Sequence, residues 1–167
     1  MKNSLSLWKR VRVRAFMKHY IIDGNNVIGK IPSLKKLQIK NKQGSREKFA
    51  LMVERNFGKI NAKVSLHFDG YPGEEIKILK VNIIYSKNIT ADQMIKKEIE
   101  RSKNPKNLMV ITSDLNLSDF ARKCSCTIIS SEDFSKQIKS PAPAEDESKK
   151  IQEIDNLDEF KKLFGVK

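Results

Sequence analysis

Four short segments of this chain each end an expected strand, or open the helix after it, with an aspartate. They are HYIIDGNNVI (Asp23), SLHFDGYPG (Asp69), the TADQMI that follows IIYSKNI (Asp92), and LMVITSDLNLSDF (Asp114, with Asp119 behind it). In an open α/β sheet, residues at the carboxyl ends of neighbouring strands meet in one crevice, where ligands bind. Carboxylates gathered there repel one another unless a cation sits among them, and oxygen donors suit a hard divalent ion, Mg2+ or Mn2+. Such an ion lowers the pKa of a bound water and stabilises charge on a transferring phosphate, so the chemistry suggested is phosphodiester hydrolysis. No catalytic histidine is required. His19 and His67 both fall inside strands and are expected to be packed side chains.

Around these acids, several polar residues have two readings. The amide of Asn26 is placed to hold Asp23, as groups behind a metal ligand do, or simply to cap backbone. Thr112 and Ser113 precede Asp114 and could orient it or meet a phosphate. Asp119 lies five residues beyond Asp114, as either an additional acid or a solvated helix residue. Asp92 in the first turn of a helix also has a local explanation, because a carboxylate there favours the macrodipole. Asp69 before glycine is equally a turn residue.

The elements that must position these groups follow from hydrophobic pattern. Strands are expected at 19–22, 64–68, 81–85, 108–112 and 127–129, rich in Val, Ile and Leu as in sheets covered on both faces. Helices are expected from Arg46 (Phe49, Met52, Val53, Phe57 and Ile60 on one face), from Ala91 with Thr90 as cap, over 116–123, and over 131–138 with Ser131 as cap. Residues 30–45 hold five lysines, a proline and a glycine and read as a long exposed loop with one helical turn at most. Alternating strands and helices imply a parallel sheet with right-handed crossovers.

The 167 residues carry a formal charge of +13. Residues 1–16 hold five basic and no acidic side chains, and residues 140–167 hold five basic and seven acidic, which leaves +10 on residues 17–139. A basic domain attracts nucleic acid through counterion release, although a lysine-rich solvated surface has the same composition. Lys30, Lys35, Lys36, Lys40 and Lys42, with Arg46 and Lys48, are the candidate phosphate contacts. Cys124 and Cys126 are too close to bridge without strain and too few for a zinc site, so they are expected to be reduced, as in the cytoplasm. No stretch reaches the length of a membrane span, and residues 1–16 lack the apolar core of a signal peptide. Those residues are expected as a basic, disordered extension, 17–139 as the folded domain, 140–150 as a flexible linker, and 151–167 as an amphipathic helix. Phosphate-loop, dinucleotide-loop, nucleophile-elbow and HExxH motifs are absent, so no nucleotide cofactor is expected. With one Trp, three Tyr and eight Phe, mostly on apolar faces, an RRM-type stacking sheet is not expected either.

YIIDGNNVI, LHFDGYPG, TADQMI and VITSD, in this order on this framework, resemble the YacP-like branch of the NYN domains, within the PIN-like nuclease superfamily. The resemblance covers roughly residues 17–138, and LDEFKKLFG looks like the tail some members carry. It implies a Rossmann-like three-layer α/β domain with strand order 3-2-1-4-5 and a metal-dependent endoribonuclease activity. It also implies that Asp23, Asp92 and Asp114 hold Mg2+ or Mn2+, with Asp69 beside them. In that order the switch point lies between strands 1 and 4, so Asp23 and Asp114 should face each other. Cys124-Ser125-Cys126 stands where members commonly have a glycine. RNA, free or presented on a ribosome, is the expected partner. The rival readings are an RNA- or ribosome-binding module with little cleavage, and an adaptor acting through residues 151–165.

Overall fold

The computed structural model describes residues 17–139; the expected extension, linker and terminal helix lie outside the described residues. Five strands form one all-parallel sheet: β1 (His19–Asp23), β2 (Lys63–Phe68), β3 (Val81–Tyr85), β4 (Leu108–Ile111) and β5 (Thr127–Ile129). Their order is β3-β2-β1-β4-β5, as expected. The helices are α1 (Gly24–Lys30), α2 (Pro32–Lys40), α3 (Lys42–Phe57), α4 (Ala91–Glu100), α5 (Leu115–Lys123) and α6 (Ser131–Lys139), with a 3-10 turn at Pro105–Asn107.

The pleat sorts the strand residues into two cores. Tyr20, Ile22, Val64, Leu66, Phe68, Val81 and Ile111 face α1, α2, α3 and α6, meeting Val27, Leu34, Phe49, Val53 and Phe134. On the opposite face Ile21, Leu108 and Val110 meet Ile95 and Ile99 of α4 and Leu117 and Ala121 of α5. Helices on both faces explain why the strands read as near-continuous apolar runs.

Two local contacts fix the geometry at the carboxyl edge. At Gly24, an added Cβ would lie 2.5 Å from the Phe68 ring and 2.7 Å from the His67 carbonyl oxygen, so only glycine lets α1 start against the end of β2. This brings the residue after β1 beside the residue after β2. Thr90 then caps α4 by accepting from the Gln93 N–H, while Gln93 returns a bond to the Thr90 N–H, a complete capping box.

Where sequence and structure part, the reasons are local. Residues 30–45 are not a loop: α2 begins at Pro32, a favourable first helical position, and Asn41 caps α3 by accepting from the Gly44 N–H at 2.8 Å. Only Leu34 of α2 is buried, so no apolar stripe betrays the helix. Ile60 lies beyond the end of α3 and is exposed. The α6 cap is Ser130, whose hydroxyl accepts from the Asp133 N–H at 3.0 Å, and not Ser131. β4 stops at Ile111, which frees Thr112 for side-chain bonding at the strand end.

Candidate acidic site

Asp23 is the innermost acid of the crevice. It ends β1, caps α1 by accepting from the Asn26 N–H at 3.3 Å, and receives the Thr112 hydroxyl at 3.1 Å. The β1–β4 register pairs Ile22 with Ile111, so the residues after them meet across the switch point. Only 9% of Asp23 is exposed. Burial first, then the charges of Asp69 and Asp92 and against the help of two hydrogen bonds, pushes its carboxyl up to about 6.

Asp69, half-buried after β2, accepts from the Ala91 N–H at 2.8 Å and so touches the amino end of α4. Its own N–H donates to Asn25 Oδ1 at 3.4 Å. Asp92 stands in the first turn of that helix, with Oδ2 2.8 Å from Lys96 Nζ. Its other oxygen, Oδ1, is buried and has no hydrogen-bond partner. Asp114 is exposed and caps α5 by accepting from the Leu117 N–H at 2.8 Å. Thr112 joins the two sides of the switch point, since its hydroxyl donates to Asp23 and accepts from the Asp114 N–H at 3.1 Å.

The neighbouring polar groups form a brace. Asn26 holds Asp23 with its backbone N–H, not its amide; the amide oxygen accepts from the Ser113 N–H at 3.1 Å and the Ser131 hydroxyl at 2.6 Å. The Ser113 hydroxyl donates to Glu132 and accepts from the Ser131 N–H, so it is committed to α6. Glu132, 2.7 Å from Lys30 Nζ, has a carboxyl lowered to about 2, chiefly by that lysine and by Ser113. Sequence reading missed Glu132 and Asn25, and gave Ser131 only the role of a helix cap. Only the adjacency of Asn25 to Asn26 hinted at any of them.

Asp119 pairs with Arg122 on the exposed side of α5 at 3.0 Å and is not brought to the crevice. Of the expected phosphate contacts, Lys35, Lys36, Lys40 and Lys42 are exposed on α2 and the start of α3, and Lys30 is exposed but paired with Glu132. Arg46 is a correction. It is 5% exposed, stacks its guanidinium 5.5 Å from the Phe68 ring centre and 5.4 Å from that of Tyr85, and donates to the carbonyls of Asp69 and Tyr71. A cation held that way binds its own backbone, not phosphate. His19 and His67 are packed as expected, yet both bond Glu98 of α4, with Ser65 between them, and these bonds lower the Glu98 carboxyl against its burial.

Among the described residues, no three Asp, Glu, His or Cys side chains converge as a ready ion cage. The donor set still fits a magnesium-like ion, which keeps most of its waters and takes one or two carboxylates plus substrate phosphate. The unpartnered Asp92 oxygen and the charge crowding on Asp23 are what such an ion would relieve. An open cleft of about 620 Å3 continues from Thr112 and Ser113 past Leu115, Ser118 and Arg122. No helix of the described residues is long and apolar enough to cross a membrane.

A model of the YacP-like NYN domain family matches residues 20–163. The chain is similar to the crystal structure of Rae1 (YacP) from Bacillus subtilis, at 20% identity and a TM-score of 0.62, over 88% of this chain and 85% of that one. A mutant form of the same Bacillus subtilis protein gives 23% identity and a TM-score of 0.64, over 74% and 76%. At these identities the likeness shows the fold. No curated protein matches the chain.

Proposed function

The chain belongs to the YacP-like NYN domain family, a nuclease-like family, and on that premise we propose that it is a divalent-metal-dependent endoribonuclease hydrolysing RNA phosphodiester bonds. The observation that carries the reading is Asp23: a carboxylate buried at the switch point and raised by its burial and by the charges of Asp69 and Asp92, the last of which keeps one buried oxygen without a partner.

Asp23 and Asp92 would hold Mg2+ or Mn2+, with Asp114 across the switch point. When bound, the ion supplies an acidified water and offsets charge on the scissile phosphate. Thr112 fixes the Asp23 carboxylate and ties it to the turn that carries Asp114. Asp69 steadies the first turn of α4 and thereby the position of Asp92. The exposed lysines of α2 would hold flanking phosphates, contacts that position RNA without reading its sequence.

Cleavage of cellular RNA, with translating ribosomes present, by wild type and Asp23→Asn tests this directly. The expected result is manganese-supported cleavage by the wild type alone, abolished by EDTA. A second reading, an RNA-binding module with little cleavage, draws on the helix-end N–H groups that occupy one oxygen each of Asp23, Asp69 and Asp114. It would be supported if both proteins bound RNA in a salt-dependent way and neither cut it.

A further inference from the structure

We propose that Tyr71 is a stacking platform that seats one base of single-stranded RNA at the rim of the acidic crevice. The inference rests on the RNA-directed reading above and adds to it the residue that meets a base. Among the described residues Tyr71 is the one aromatic side chain that stands exposed, at 60%. Its surroundings hold it still. Its carbonyl accepts from the buried Arg46 guanidinium at 3.1 Å, and its phenol donates to Asn88 Oδ1. The two loops it joins are themselves stitched: the Gly70 N–H donates to the Ser86 hydroxyl at 2.9 Å and the Lys87 N–H to the Gly70 carbonyl at 2.9 Å. Gly70 at φ +84° and Lys87 at φ +57° both take the left-handed conformation this crossing needs.

Placement gives the ring its meaning. Tyr71 lies two residues after Asp69, and Asn88 lies four residues before Asp92. The phenol therefore bridges the loop that begins at Asp69 and the loop that leads into α4 and Asp92, on the carboxyl edge of the sheet. A base stacked on this ring would keep its own phosphate beside the crevice. An exposed aromatic ring tethered at its phenol, on a backbone that Arg46 pins, also loses little freedom when a base covers it. Stacking accepts any base because every base has a π-face, which suits a surface whose remaining contacts are lysines.

The test is equilibrium binding of fluorescein-labelled oligouridine RNA and of its fully abasic counterpart, followed by anisotropy in EDTA with the full chain. Tyr71→Ala is expected to weaken binding of oligouridine roughly 5- to 150-fold, while Tyr71→Phe, which keeps the ring, stays within roughly threefold of wild type. On the abasic strand wild type and Tyr71→Ala should bind alike. Equal binding of oligouridine by wild type and Tyr71→Ala would overturn the proposal and leave the nuclease reading standing. So would an equal loss on both strands, which would mark a merely structural residue. If wild type bound neither strand, the RNA-directed reading itself would fall.

Discussion

Replacing Asp23 by asparagine should make the metal-free protein more stable at neutral pH while removing its proposed activity. The carboxyl is raised from 3.8 to about 6. A pKa unit corresponds to about 1.4 kcal/mol, so ionising this buried group costs the folded state about 3 kcal/mol. The sign follows from linkage: a group whose folded pKa lies above its unfolded value contributes stability that is complete below the unfolded pKa and lost as pH rises through the folded one. The cost is therefore near its full value at pH 8 and shrinks to about 0.5 kcal/mol at pH 4. Asparagine escapes it but cannot offer both oxygens, and the Thr112 hydroxyl bond it gives up is worth about 1 kcal/mol. The net gain is about 1–2 kcal/mol at pH 8, or roughly 3–8 °C in Tm for a domain of this size. Thermal melts of both proteins in EDTA from pH 4 to pH 8 would measure it. Mg2+ or Mn2+ should then raise the wild-type Tm and leave Asp23→Asn nearly unmoved. A variant no more stable than wild type at pH 8, or an advantage that does not change with pH, would refute the electrostatic account of the crevice.

Three further substitutions have worked directions. Gly24→Ala forces a methyl group to within 2.5 Å of the Phe68 ring and 2.7 Å of backbone, and should cost about 3 kcal/mol or more by urea denaturation. Glu98→Gln should destabilise by about 2–4 kcal/mol at pH 7, because it leaves His67 and Ser65 in a buried site without their charged acceptor. The Glu98 carboxyl is lowered, so its contribution is present above its ordinary value of 4.5 and is lost as pH falls, and the difference between the two proteins should narrow in acid. Ser125→Gly should stabilise by roughly 0.5–1 kcal/mol, since Ser125 holds φ +67° in the turn between α5 and β5, where glycine carries no Cβ penalty; a chemical melt with an unshifted or lower midpoint would show that the turn is not strained.

The central strands β1, β2 and β4 were legible because they are largely buried and announce themselves as apolar runs with an aspartate at or shortly after their ends. Thr90 was legible as a cap because a capping box is local in sequence. The lysine-rich stretch before α3 was not, since α2 rests on the core through Leu34 alone. Arg46 was misread for a related reason: its partners are two rings and two backbone carbonyls, 22 or more residues away, and carbonyls have no letter in a sequence. Among the acids, sequence order brought Asp23, Asp69, Asp92 and Asp114 to one sheet edge. It did not reveal that Asp23 and Asp114 also serve as helix caps, that Asp69 accepts from the first N–H of α4, or that Asp119 turns outward to Arg122. Cys124-Ser125-Cys126 shows the reverse case: the family resemblance flagged a glycine somewhere in this segment, and Ser125 within it adopts the conformation glycine favours.

The switch point also sets a timetable for the growing chain. β1 is the central strand, yet both its partners lie far downstream: His19 pairs with Lys63 and with Leu108. The Thr112 hydroxyl that fixes Asp23 closes a separation of 89 residues. Long-range parallel pairing of this kind is slow, because much of the chain must be ordered before it is rewarded. A nascent chain halted before β4 contains Asp23, Asp69 and Asp92 but has no second wall for the crevice. The acidic edge is therefore completed last: Thr112, which fixes Asp23, and Asp114 both follow β4 and reach β1 only when that strand docks.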